Sequence, residues 1–122
     1  MVTTLILLNV CHWAGDYTHL STAWMLKAKQ HGRPLFPILI HAGVHTLLFF
    51  LMVFVLHGFE KALMAASIQL PTHFLIDVWK GRMNVWFPEI QSPENKFHWW
   101  TFGADQFLHQ LVIIVIAYFA CA

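Results

Sequence analysis

Four pairs of side chains able to hold a metal ion recur at one spacing in this 122-residue chain: His12 and Asp16, His41 and His45, His73 and Asp77, and Asp105 and His109. A separation of four puts both members of a pair on one face of an α-helix, one turn apart. The pairs take in all three aspartates and five of the nine histidines. A random Asp has a roughly one-in-seven chance of a His four positions away, so all three by accident is below about one in a hundred. Imidazoles and carboxylates together are the donor mix of Zn, Mn or Fe, and soluble four-helix bundles build dimetal sites from facing helices in this way. Eight donors suit two ions, or one ion whose ligands are oriented by the remaining partners. A bound divalent ion lowers the pKa of its water and polarises a phosphoryl or carbonyl oxygen, which is hydrolytic chemistry.

The elements that must carry these pairs are apolar. Fifty-eight per cent of the chain is hydrophobic and only 11% is charged, and its mean hydropathy is +0.59. A soluble domain of this length needs more polar surface, so the composition predicts an integral membrane protein. The same figures exclude a disordered chain and a disulfide scaffold, and a net charge of +1 leaves no footprint for nucleic acid. Four apolar stretches approach the ~20 residues needed to cross ~30 Å of hydrocarbon: 3–26, 34–56, 62–79 and 99–120. The predicted fold is therefore all-α, a single transmembrane domain over 1–122 built as an antiparallel four-helix bundle. Pro34 and Pro37 open the second span, where the first turn tolerates them. Pro88, Pro93 and Gly81 mark the longer Lys80–His98 segment between the third and fourth spans, within which Pro88–Lys96 reads either as a lid or as a plain linker.

Lys27, Lys29 and Arg33 flank the first connection, Lys80, Arg82 and Lys96 the third, and only Lys61 falls in the second. The basic side should be cytoplasmic, with both termini outside, as in a bacterial inner membrane. Trp24, Trp79, Trp86, Trp99 and Trp100 cluster on that side as an interfacial belt. Lacking Lys or Arg before its apolar run, the N-terminal segment reads as a retained span and not a cleaved signal. Counted from the basic side at 1.5 Å per residue, all four pairs lie within roughly 5–20 Å of the cytoplasmic face. Ionisable groups facing lipid are costly, so the eight side chains should point inward at one another.

Polar neighbours extend these faces. Asn9 and His19 continue the stripe of His12 and Asp16, Gln69 that of His73 and Asp77, and Thr101 that of Asp105 and His109. His19, Gln69 and Thr101 are thus candidates for an outer layer around the ligands. Ala14, Gly15, Ala42, Gly43, Gly103 and Ala104 would let backbones approach. Lys80 and Arg82 could contact an anionic head group, with loop anchoring as the alternative. His31, His57 and His98 read as interfacial, and Cys11 and Cys121 as buried free thiols.

The segments His12-Trp-Ala-Gly-Asp16, His41-Ala-Gly-Val-His45, Thr72-His73-Phe-Leu-Ile-Asp77 with Lys80, and Asp105-Gln-Phe-Leu-His109 resemble a small membrane family of bacteria and their phages, catalogued as a domain of unknown function. That resemblance spans nearly the whole chain with all four motifs in order. Where the family often has a Gln one turn after the first Asp, this chain has His19 and Leu20. More distantly the chain resembles membrane-bound metal-dependent hydrolases, a resemblance that supports fold and site. The metal chemistry and the depth of the pairs lead to the expectation of a hydrolase acting on a phosphorylated lipid or lipid-linked substrate at the cytoplasmic leaflet. Two other functions fit the residues: a non-catalytic metal or proton conductor, and a haem-binding electron-transfer subunit. The expected partners are the bilayer, a lipid substrate and a second copy of the chain as a homo-oligomer.

Overall fold

The computed structural model describes residues 1–122 and is all-helical. Five α-helices follow one another: α1 (Val2–Tyr17), α2 (Ala23–His31), α3 (Leu35–His57), α4 (Phe59–Trp86) and α5 (Lys96–Cys121), with a 3₁₀ turn at Pro88–Gln91 before the last. The fold class agrees with the sequence reading, but the helices do not coincide with four spans. The predicted stretch 3–26 breaks at residues 18–22. Thr18 follows the last residue of α1 with extended backbone (φ −114°, ψ −175°), its hydroxyl donating to the Ala14 carbonyl. Thr22 then caps α2, its Oγ1 accepting from the Met25 N–H at 3.3 Å. Short hydroxyl side chains compete with the backbone for its own hydrogen bonds and so favour such breaks.

Two helices, α3 and α5, are long and apolar enough to cross a membrane. The sixteen residues of α1 reach only about 24 Å at 1.5 Å per residue. The 28-residue α4 is long enough, but Gln69, His73 and Asp77 dilute its apolar stretch, and these are residues it buries.

The ends of the helices explain how the chain turns. Pro37 lies in the first turn of α3, where its missing N–H costs no helical bond. Gly58, with φ of +91°, is the single residue joining α3 to α4, a reversal that L-residues with a Cβ adopt poorly. Asn95 caps α5, its Oδ1 accepting from the Phe97 N–H at 2.9 Å. The helix α2 closes on Gly32 at φ +69° and seats against α4 at Gly81, where an added Cβ would lie 2.6 Å from the Gly32 Cα. Asn84 of α4 fixes that contact by donating to the Gln30 carbonyl at 3.0 Å.

The interior has two halves. Leu8, Phe49, Val53, Ala62, Ala65, Ile113, Ile116 and Ala117 form an apolar core with Cys11 and Ala120. One or two turns further along each long helix the buried residues become polar: His12, His41, His45, Gln69, His73, Asp77, Asp105 and His109. The outside is the reverse, with Ile6, Val10, Trp13, Leu47, Leu51, Val55, Leu75, Phe107 and Ile114 all exposed. At the apolar end Cys11 is buried as expected, but Cys121 is exposed. Thr4 Oγ1 and His57 Nε2 are hydrogen-bonded there at 2.9 Å, with the Cys121 thiol donating to Thr4 at 3.6 Å.

Candidate metal centre

The eight paired residues meet in the polar half of the bundle. Each pair is held on one helix by its four-residue spacing: His12 and Asp16 on α1, His41 and His45 on α3, His73 and Asp77 on α4, Asp105 and His109 on α5. Neighbouring rings are in contact, with centroids of His45 and His73 4.0 Å apart, His73 and His109 4.4 Å, and His12 and His45 5.2 Å. This packing depends on Gly15, because a Cβ at that position would sit 2.5 Å from the His45 ring.

Two overlapping donor sets result. Asp16, His41, His45 and His73 offer atoms all within 4.8 Å of one another, and so do His73, Asp77 and His109. In the first set, Asp16 Oδ1 lies 3.0 Å from both His41 Nε2 and His45 Nε2. In the second, Asp77 approaches His73 Nε2 at 3.1 Å and His109 Nε2 at 3.4 Å. The remaining two residues flank these sets: His12 Nε2 is 3.2 Å from Asp16 Oδ2, and Asp105 Oδ1 is 3.4 Å from His109 Nε2.

Closeness is not the same as hydrogen bonding here. His12 Nε2, His73 Nε2, Asp77 Oδ2 and Asp105 Oδ1 are buried and have no aligned hydrogen-bond partner, although each has an oppositely charged or polar atom within reach. Direction decides the strength of a hydrogen bond, and an ion pair at the same distance with poor alignment satisfies neither group.

The outer residues divide. Gln69 is buried, with its amide 3.3 Å from His73 Nδ1. An amide turned so that its carbonyl accepts from Nδ1–H leaves the Nε2 lone pair facing the cluster, as a ligand requires. His19 and Thr101 are not at the centre. His19 is exposed beyond the end of α1, because the helix that would have carried its stripe stops at Tyr17. Thr101 turns to its own helix, donating to the Phe97 and His98 carbonyls at 2.9 and 3.0 Å. Arg82 lies over the Trp86 ring at 5.7 Å, away from the cluster.

One central residue escapes the sequence reading. Lys29, on α2, places Nζ 3.4 Å from Asp16 Oδ1, 3.9 Å from Asp77 Oδ2 and 3.1 Å from His41 Nε2. Burial works against its charge, but the carboxylates of Asp77, Asp16 and Asp105 more than offset this and hold its pKa above the usual lysine value. Nothing in the pair spacing marks it, since Met25 and Arg33 stand four positions either side of Lys29.

A cavity of about 230 Å³ opens beside the cluster, between α1, α2, α4 and α5. Asp16, Lys29 and Asp105 belong to both cluster and cavity, and Lys80 lines the cavity. Tyr17, Leu26 and Phe102 supply an apolar wall. The larger apolar groove along the outer face of α1, at Leu5, Ile6, Asn9, Val10 and Trp13, is remote from this chemistry.

No curated protein and no solved structure matches the chain. The sequence model of one protein family, described as "Protein of unknown function (DUF3307)", matches residues 4–122, nearly the whole length, and the chain belongs to that family.

Proposed function

We propose that this chain is a membrane-embedded metal protein that holds one or two Zn, Mn or Fe ions among its eight paired residues and hydrolyses a phosphorylated lipid or lipid-linked substrate at the cytoplasmic leaflet. The unpartnered atoms carry the metal reading. Four buried ligand atoms from α1, α4 and α5 lack aligned hydrogen bonds, two of them on His73 and Asp77, which share one donor set, and each such group costs about 1–3 kcal/mol when left unsatisfied. A divalent ion is a partner that accepts several of them together.

The distribution of polarity supports four spans, with α1 and α4 added to α3 and α5. A polar interior under an apolar exterior suits a bundle immersed in hydrocarbon and would be unstable in water. The basic end is then cytoplasmic by the positive-inside rule. The cavity at that end joins cationic Lys29 and Lys80 to an apolar wall, which matches an anionic head group on a hydrophobic tail.

The alternatives fare less well. A conductor needs its polar chain to continue across the bilayer, whereas Leu8, Phe49, Val53 and Ile113 close the other half with apolar side chains. A haem needs a flat slot between its axial ligands, and rings 4.0–5.9 Å apart leave none.

Elemental analysis of the purified protein tests the metal reading. At least one Zn, Mn or Fe ion per chain is expected; less than about half an ion, even after metal addition, overturns it. Hydrolysis is tested separately by phosphate release from a panel of lipid phosphates, and a metal-replete protein inert to the whole panel would sink that part alone.

A further inference from the structure

Lys29 is the one member of the cluster that a metal site does not account for. Its ammonium lies 3.4 Å from Asp16 Oδ1 and 3.9 Å from Asp77 Oδ2, residues that belong to the two different donor sets. A divalent ion binds such oxygens at about 2.0–2.2 Å. Ammonium and ion drawn to the same oxygens would then lie within a few ångströms of each other, with little water between them to screen the repulsion. That repulsion favours expulsion of the ammonium.

The lysine has somewhere to go. Its side chain borders the cavity as well as the cluster, in company with Lys80, Asn84 and Gln106. The backbone of α2 need not move for this, because a long unbranched stem can swing its head group several ångströms. The segment that carries Lys29 is meanwhile pinned to α4 by the Gly32–Gly81 approach and the Asn84 hydrogen bond.

We propose, building on the metal reading above, that Lys29 is a built-in counter-ion that a divalent metal displaces into the adjoining cavity, where its ammonium and that of Lys80 form a binding subsite for a phosphate group. Metal and phosphate binding are then coupled. The metal frees the ammonium, and a phosphate seated in the cavity holds the ammonium away from the carboxylates. By linkage, phosphate raises the affinity for metal by the same factor as metal raises the affinity for phosphate.

The test uses the full chain in phosphatidylcholine nanodiscs, titrated with Mn²⁺. In phosphate-free buffer, Lys29→Met should bind Mn²⁺ at least about fivefold more tightly than the parent, and should lose the gain in affinity that phosphate gives the parent. In the parent protein, labelling of Lys29 by an amine-acylating reagent, read by mass spectrometry, should rise several-fold on Mn²⁺ loading. Two arms identify the source of the phosphate: inorganic phosphate in solution, and phosphatidic acid incorporated into the disc. A gain in Mn²⁺ affinity in either arm supports the subsite and names its ligand, and no gain in either overturns it. Equal Mn²⁺ affinity of parent and variant, with unchanged Lys29 labelling, overturns the displacement while leaving the metal centre standing. Failure of both proteins to bind Mn²⁺, Zn²⁺ or Fe²⁺ removes the centre and the displacement together. Should Lys29→Met not fold, the labelling of the parent decides, since a static Lys29 shows no rise.

Discussion

Asp77 ties four helices together at the centre. It is 2% exposed and lies within 4 Å of Lys29, His41, His73 and His109, on three other helices and its own. Replacing it with Asn keeps the size and removes the charge. If the cluster is a metal centre, Asp77→Asn should weaken metal binding by at least about 10–100-fold. A chelator should lower the melting temperature of the parent and leave that of the variant unchanged, since only a bound ion contributes stability that chelation can remove. If the cluster is only interhelical glue, the chelator moves neither protein. His57→Ala is the control: His57 bonds Thr4 at the opposite end and should retain full occupancy by elemental analysis. At this scale the sequence was informative because ligand chemistry is confined to few residue types. Spacing alone picked out eight residues that meet in space, and Gln69 behind His73. It missed Lys29 because a lysine near a span boundary has an ordinary explanation as a topology signal, and only the three-dimensional path of α2 turns it inward.

The least expected element is α2, nine residues that occupy no span of their own yet deliver Lys29 and line the cavity. Its seat is made by glycine on both sides. A Cβ at Gly81 would meet the backbone of Gly32 and of Lys29, and backbone cannot step aside as a flexible side chain can. Gly81→Ala should therefore push α2 off α4, costing about 1–3 kcal/mol, read as a lower melting temperature in detergent. It should also change metal affinity even though residue 81 touches no donor. Gly43→Ala, with open space around the added Cβ, should leave both unchanged. A Gly81→Ala protein with unaltered melting temperature and metal binding would remove α2 from the account of the site. The long helices were legible from hydropathy, and α3 and α5 fall close to their expected limits. The break in the first stretch was not, because hydropathy averages over Thr18 and Thr22, whereas the backbone responds to their hydroxyls one at a time. His19 was lost with it, since helical spacing means nothing past a helix end.

The molecule as a whole is largely apolar on its outside, and its interior is divided into an apolar half and a polar half. That polarity gives the site one open side, at the end where six of the seven basic residues gather. If the chain spans a membrane as proposed, its orientation decides which compartment the cavity faces. The two cysteines report it, being of unlike exposure: Cys11 is buried on α1, and Cys121 is exposed at the end of α5, opposite the basic end. With the basic end cytoplasmic, a membrane-impermeant maleimide added to intact bacterial spheroplasts expressing the protein should label one thiol per chain, Cys121, and Cys121→Ser should abolish the signal. Inside-out vesicles should give no labelling until detergent is added. Labelling confined to inside-out vesicles would reverse the orientation and place the cavity outside the cytoplasm. Recovery of the protein in the soluble fraction would contradict the membrane reading itself, because the exposed Ile6, Leu47, Val55, Leu75 and Phe107 would then need another apolar partner to cover them.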